Sequence, residues 1–188
     1  CGTTPDYIRA VKARFGMRTV KQSSFTPKAR VCSPRTVVEL DQIRVIGERI
    51  NPTGKKRFQQ ALREGDLDYI LAQGVAQADA GADILDVNVG LPEIDEAAMM
   101  HRVMTELQAV TDLPLQIDSS SAEALGEGMK IYNGKPLVNS VNGKEESMRA
   151  VFPLAKKYGG LVVALTLDEC GIPESAEGRV AIAAKILK

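Results

Sequence analysis

Asp83-Ile84-Leu85-Asp86-Val87-Asn88-Val89 is the stretch on which the fold turns. It is apolar for the length of a short strand, as a strand covered on both faces must be, and its polar residues fall two apart. The segment before it, Leu67 to Ala82, places Leu67, Ile70, Leu71, Val75, Ala78 and Ala82 at helical spacing. A helix with such a face has to pack on a sheet. Ala80-Gly81-Ala82 separates the two elements, supplying the break that a helix-to-strand turn needs.

The same unit recurs outward from this stretch. Pro114-Leu115-Gln116-Ile117-Asp118 follows a second helical segment, Ile94 to Val110, and Leu137 to Val141 and Leu161 to Leu167 continue the series. Arg44-Val45-Ile46-Gly47 precedes it as a first short strand. Leu113-Pro114, Gly134-Lys135-Pro136 and Tyr158-Gly159-Gly160 punctuate the later units. Buried strands alternating with amphipathic helices imply right-handed βαβ crossovers and a parallel sheet covered by helices. In such folds ligands bind at the carboxyl ends of the strands.

Composition excludes several classes. The 188 residues carry 24 basic and 24 acidic side chains, so no surplus of cations exists to neutralise nucleic-acid phosphates. The longest strongly apolar run, Leu161 to Leu167, is too short to span a bilayer, and no signal-peptide pattern opens the chain. Cys1, Cys32 and Cys170 are odd in number and widely spaced, which argues for a reducing cytoplasm over a disulfide framework. The start at Cys1 without Met, and an end inside a helical pattern, lead us to expect a piece of a longer polypeptide. Thr4-Pro5-Asp6 reads as a helix start with Tyr7 to Phe15 as the helix, and residues 17–42, without a sustained period, read as a linker.

The polar residues at strand ends are the candidates for chemistry. They are Glu48 and Asn51 after the first strand, Asp86 and Asn88 in the second, Asp118 after the third and Asn139 in the fourth. Asp86 and Asn88 point to one side of their strand. Burying such groups unpartnered costs about 1–3 kcal/mol each, so a polar ligand that satisfies them is a reasonable occupant. Asp and Asn together suit a flat heterocycle with donors and acceptors along one edge, as a pterin has. The competing reading makes these residues helix caps and turn partners, with Asp118 before Ser119-Ser120-Ser121 as a cap region. His101, the one histidine, sits in a helical segment with no second ligand at metal spacing. Lys55-Lys56-Arg57 reads first as a solvated charge run.

These residues also carry a resemblance. Ile46-Gly47-Glu48-Arg49-Ile50-Asn51-Pro52-Thr53-Gly54 resembles the opening strand of the pterin-binding domain of cobalamin-dependent methionine synthases and of methyltetrahydrofolate–corrinoid methyltransferases. Asp86 to Gly90, Gln116 to Ser120, Val138 to Val141 and Leu167 to Gly171 resemble its later strand ends, in order. Cys1-Gly2-Thr3-Thr4-Pro5-Asp6-Tyr7-Ile8 is similar to the tail of a homocysteine methyltransferase barrel. The resemblance implies a (β/α)8 TIM-barrel-type α/β fold over residues 43–188, with its first five units present, preceded by a homocysteine-domain end over 1–16.

By that resemblance Asn51, Asp118 and Asn139 bind the pterin of methyltetrahydrofolate, Asp86 and Asn88 support them, and Asp118 assists catalysis. Cobalamin would sit on a partner domain. Zinc would belong to the homocysteine domain in cis, with Cys1 as one thiolate ligand. The implied activity is methyl transfer in methionine synthesis. Dihydropteroate synthase shares the implied fold and stands as the alternative enzyme. Its Asn-Val-Thr-Pro-Asp-Ser-Phe-Ser loop is absent after Asn51, where Pro52-Thr53-Gly54-Lys55-Lys56 follows. A non-catalytic, truncated barrel fragment is the alternative outside the enzymes.

Overall fold

The computed structural model describes residues 2–16 and 27–188. Helix α1 (Pro5–Phe15) forms where Thr4-Pro5 announces it: Pro5 occupies the first turn and Thr4 Oγ1 accepts the Tyr7 N–H at 3.2 Å. None of its side chains is buried.

The next described segment departs from the linker reading. Strands β1 (Arg30–Cys32) and β2 (Val37–Glu39) form an antiparallel hairpin with Val31 opposite Val38. Strands this short carry no period for a sequence reading to detect. What makes them strands is the surface they land on, described below. Residues 17–26 of the same reading lie outside the described residues.

Five parallel strands follow, each hydrogen-bonded to its neighbour in chain order. They are β3 (Ile46–Ile50), β4 (Ile84–Val87), β5 (Leu115–Asp118), β6 (Leu137–Asn142) and β7 (Leu161–Leu165). The helices are α2 (Lys56–Glu64) and α3 (Leu67–Asp79) after β3, α4 (Glu96–Val110) after β4, α5 (Ala122–Ile131) after β5, α6 (Glu145–Tyr158) after β6 and α7 (Ala176–Ile186) after β7. Sequential order without reversal is how a barrel wall is built; an open doubly wound sheet reverses direction at a switch point. Helix α2 was not anticipated: it takes up the Lys56-Arg57 charge run and buries Phe58, Ala61 and Leu62 on one side. The first strand lies further along the chain than Arg44–Gly47. Its register shifts between Gly47 and Ile50, and the α3 side chain Gln77 reaches across to accept the Arg49 N–H at 2.7 Å.

The two faces of the sheet do different work. Leu85, Val87, Leu115, Ile117 and Val138 join the large core beneath the helices, with Met100, Val103, Met104 and Leu107 of α4. Gly74 of α3 packs closely there: a Cβ would lie 2.8 Å from the tip of Leu107, which would have to shift. Alternate residues Ile84, Leu137, Leu161 and Val163 point to the concave face, where the hairpin residues Val31, Val38 and Leu40 cover them.

The hairpin is thus a plug at the amino ends of the strands. Cys32 and Lys135 exchange backbone hydrogen bonds at 2.9 Å, and a Cβ at Gly134 would overlap the Cys32 carbonyl at 2.2 Å. The Tyr132 hydroxyl donates to Cys32 O and accepts from Leu115 N, both at 3.0 Å. Burial pushes that phenol up to about 12.

Candidate functional site

The carboxyl ends of β4, β5 and β6 present a polar surface on the same concave face. Register places Asp86 beside Gln116 and Asp118 beside Asn139. Paired residues of parallel strands project to the same side, so these groups share the barrel-facing surface with Ile84 and Leu137 but lie further toward the strand ends.

Asp86 is 3% exposed and accepts a short hydrogen bond from Gln116 Nε2. Asn88 Nδ2 donates to Asp118 Oδ2 at 2.9 Å, while Asn88 Oδ1 accepts the Gly90 N–H at 2.9 Å, so both ends of this amide are fixed. Asp118 and Asn139 line a cavity of about 450 Å³ whose other walls include Ser140, Leu125 of α5 and Val151 of α6; Asp86, Asn88 and Gln116 stand beside it and do not line it. The Asn139 side chain makes no hydrogen bond to any described residue, which leaves its donors and acceptor for a ligand. Asn51 directly follows β3 and is 9% exposed; its Oδ1 accepts the Thr53 N–H at 2.8 Å and shapes the loop that follows. No hydrogen bond among the described residues links Asn51 to the β4–β6 group. Cys1 lies outside the described residues.

Electrostatics follow from burial. Asp86 is pushed up to about 6, first by desolvation and further by the Asp118 and Glu48 charges, against the Gln116 hydrogen bond and Lys55. Asp118 is also raised, first by desolvation and then by Glu48 and Glu96, with the Asn88 hydrogen bond opposing. Lys55 pairs with Glu48 at 3.0 Å. The arrangement offers carboxylate acceptors and amide donors to a ligand, and in Asp86 a carboxyl that can exchange a proton at about pH 6.

Sequence reasoning overlooked Gln116, Glu96 and Ser119. Gln116 sits two residues before Asp118, the same spacing that singled out Asp86 and Asn88, so the signal was present. Ser119 Oγ donates to Glu96 of α4 and accepts the Ser121 N–H at 2.9 Å, bracing the loop after β5. Nothing local announces a contact between Glu96 and Ser119, because it joins two separate βα units. His101 stands on the α4 surface with Glu127 at 3.2 Å. Among the described residues, no group of three or more His, Cys, Asp or Glu is placed to hold a metal ion. No helix among the described residues is long and apolar enough to cross a membrane.

With this geometry in hand, similarity to known proteins is informative. The profile of a family described as pterin binding enzyme matches residues 47–184. Methionine synthase of Mycobacterium tuberculosis is 34% identical over 197 residues, covering 100% of this chain and 16% of the relative. Methionine synthase of Mycobacterium leprae is 32% identical over 200 residues, covering 100% of this chain and 17% of the relative. The chain therefore spans about a sixth of the length of these curated relatives. Among solved structures, a dihydropteroate synthase of Xanthomonas albilineans superposes with TM-score 0.50 at 23% identity, over 73% of this chain and 49% of the synthase. The 7,8-dihydropteroate synthase of Vibrio fischeri ES114 gives 0.51 at 22% identity, over 72% and 48%. At that identity the likeness concerns the fold, and the fold is the α/β barrel type expected from the sequence.

Proposed function

The chain belongs to the pterin binding enzyme family, and from that premise we propose that its strand ends bind the pterin of methyltetrahydrofolate and hold the N5-methyl for transfer to a corrinoid, within methionine synthesis. The observation that carries the reading is the set of inward-facing acids and amides at the carboxyl ends of β4–β6, beside a cavity that Asp118 and Asn139 share.

The donor set fits the proposed ring. A pterin edge bears an amino group and a ring N–H beside a carbonyl. A carboxylate oxygen of Asp118 takes the N–H groups, and the Asn139 amide both donates and accepts. Asn51, just after β3, is assigned a share in the positioning. Holding the ring still is a large part of the task, since alignment of the reacting methyl can contribute several kcal/mol of barrier. The amine at N5 is a poor leaving group until it gains a proton or a strong hydrogen bond. We assign Asp118 to organising the water and donors that deliver that proton, with Asn88 fixing one of its oxygens. A corrinoid on a partner domain supplies the cobalt nucleophile.

The same reading places residues 1–16 at the end of a homocysteine-binding domain, with Cys1 among its zinc ligands, residues 17–42 as the connection and residues 43–188 as the first part of the pterin barrel. It also places the protein in the cytoplasm, where Cys32 and Cys170 stay reduced.

Titration of the intact protein with methyltetrahydrofolate tests the proposal. Asp118→Ala and Asn139→Ala should each weaken binding about tenfold or more, the effect of losing a buried hydrogen bond to a ligand. Wild-type affinity in both variants overturns the site. Formation of dihydropteroate from a pterin pyrophosphate and p-aminobenzoate overturns the methyl-transfer assignment in favour of a synthase.

A further inference from the structure

The carboxyl ends of β4 and β5 each present one acid and one amide, in opposite order. Asp86 of β4 precedes Asn88, the residue just past that strand, and Gln116 precedes Asp118 on β5. The register makes Asp86 and Gln116 direct partners, and Asn88 reaches Asp118. Each acid therefore meets an amide from the neighbouring strand. Gln116 Nε2 holds Asp86 Oδ1, and Asn88 Nδ2 holds Asp118 Oδ2. The other oxygen of each carboxylate has no hydrogen bond among the described residues.

Gln116 has no packing reason to be polar. It is 6% exposed, and its register partner on β6 is Leu137, which in turn pairs with Leu161 of β7. An apolar side chain would continue that layer, and burying an amide there is unfavourable unless it is bonded. Its Nε2 donates to Asp86 and to nothing else among the described residues. Asp118 is braced by Asn88 and reaches the cavity; Asp86 lies one tier deeper and depends on Gln116 alone.

We propose that Gln116 is a positioning residue of the pterin site: it clamps one oxygen of Asp86 so that the other is offered, as a charged acceptor, to the N–H edge of the ring. The inference rests on the proposed function and extends it to a second acid tier. The groups facing Asp86 are Asp118 of β5, Glu48 of β3 and Lys55 in the loop after β3. The two carboxylates oppose its charge, and Lys55 and the Gln116 amide favour it. Removing the amide therefore makes Asp86 harder to ionise, and the ring loses its acceptor at a higher pH than in the wild type.

Methyltetrahydrofolate affinity of the intact protein, measured from mildly acidic to alkaline pH, reads this directly. Gln116→Met keeps the volume and removes the donor. Its acid limb should move up by about one pH unit, giving binding about tenfold weaker at about pH 5, about threefold weaker at about pH 6.5 and indistinguishable from wild type at about pH 8.5. Gln116→Glu also removes the donor and adds a like charge; it should move the limb further, and it gives the same readout if the Met variant does not fold. A Met variant that keeps the wild-type profile, or that loses the same factor at every pH, overturns the inference and leaves the proposed function intact. Wild-type protein that binds no folate at any pH overturns the proposed function itself.

Discussion

The two ends of the concave face are made by the same strands, yet they are built to opposite specifications. At the amino ends, Ile84, Leu137, Leu161 and Val163 meet Val31, Val38 and Leu40 of the hairpin in a closed apolar cluster. At the carboxyl ends, two or four residues further along, Asp86, Asn88, Gln116, Asp118 and Asn139 stand on the same surface, with carboxylate oxygens and a whole amide left unbonded among the described residues. One end satisfies its own groups. The other leaves some of its polar groups without a protein partner among the described residues. Parallel α/β folds separate stability from function in this direction, and here the contrast is drawn within single strands.

The sharpest way to break the comparison is at the closed end. Val31 is fully buried between the hairpin and the strands, so Val31→Asp places a carboxylate among apolar neighbours with no partner. The expected cost is about 3–5 kcal/mol, enough to unfold a domain of ordinary stability. Thermal melting of the variant checks it. A small change in melting temperature would mean that the hairpin is an appendage and not a plug.

How the two ends reveal themselves in sequence differs for a physical reason. Strands β4 to β7 are legible because each is a short apolar run fed by a helical segment, although β7 is only partly buried, and Asp86 and Asn88 stand out against that background. The hairpin is not legible: Val31 and Val38 are single apolar residues in a polar stretch, and only the tertiary surface beneath them gives them a structure. Helix α2 is hidden because its exposed side, with Lys56, Arg57 and Arg63, dominates the reading while three side chains are buried. Gln116 was visible through its spacing from Asp118 but was passed over as one polar residue in an apolar strand. The Glu96–Ser119 contact has no local signature at all, since it depends on how α4 docks beside β5.

A smaller effect sharpens the comparison from the seam between hairpin and barrel. Tyr132→Phe removes one hydroxyl and strands one backbone group, the Leu115 N–H 3.0 Å from where it was, while the Cys32 carbonyl keeps the Lys135 N–H. Leaving that N–H without a partner should cost about 1–3 kcal/mol, through the hairpin seam and not through the strand ends. Melting temperature should fall while methyltetrahydrofolate affinity stays within about twofold of wild type. A variant that loses affinity as strongly as stability would show that the two ends are coupled.

The smallest effect has the opposite sign and comes from the open end. Asp86 is nearly excluded from solvent, and its carboxyl is pushed up to about 6 from an ordinary 3.8. Below the unfolded value the group is protonated in both states and carries no penalty. Between the two values the folded state holds a proton that the unfolded state has released, so stability falls as pH rises; above about 6 the full cost of a buried charge is in place. Asp86→Asn keeps the shape and an acceptor for the Gln116 amide while removing the charge. At about pH 7.5 it should stabilise the fold by about 1 kcal/mol, below the ceiling set by the shift because water reaches the open strand ends, and at about pH 4 it should change little. Melting curves at the two pH values measure the difference. The same variant should bind methyltetrahydrofolate less tightly if Asp86 is the acceptor proposed for the ring. A residue that costs stability when ligand-free and contributes affinity when bound marks a functional site; equal melting of wild type and Asp86→Asn at both pH values would place Asp86 with the apolar end, as part of the frame.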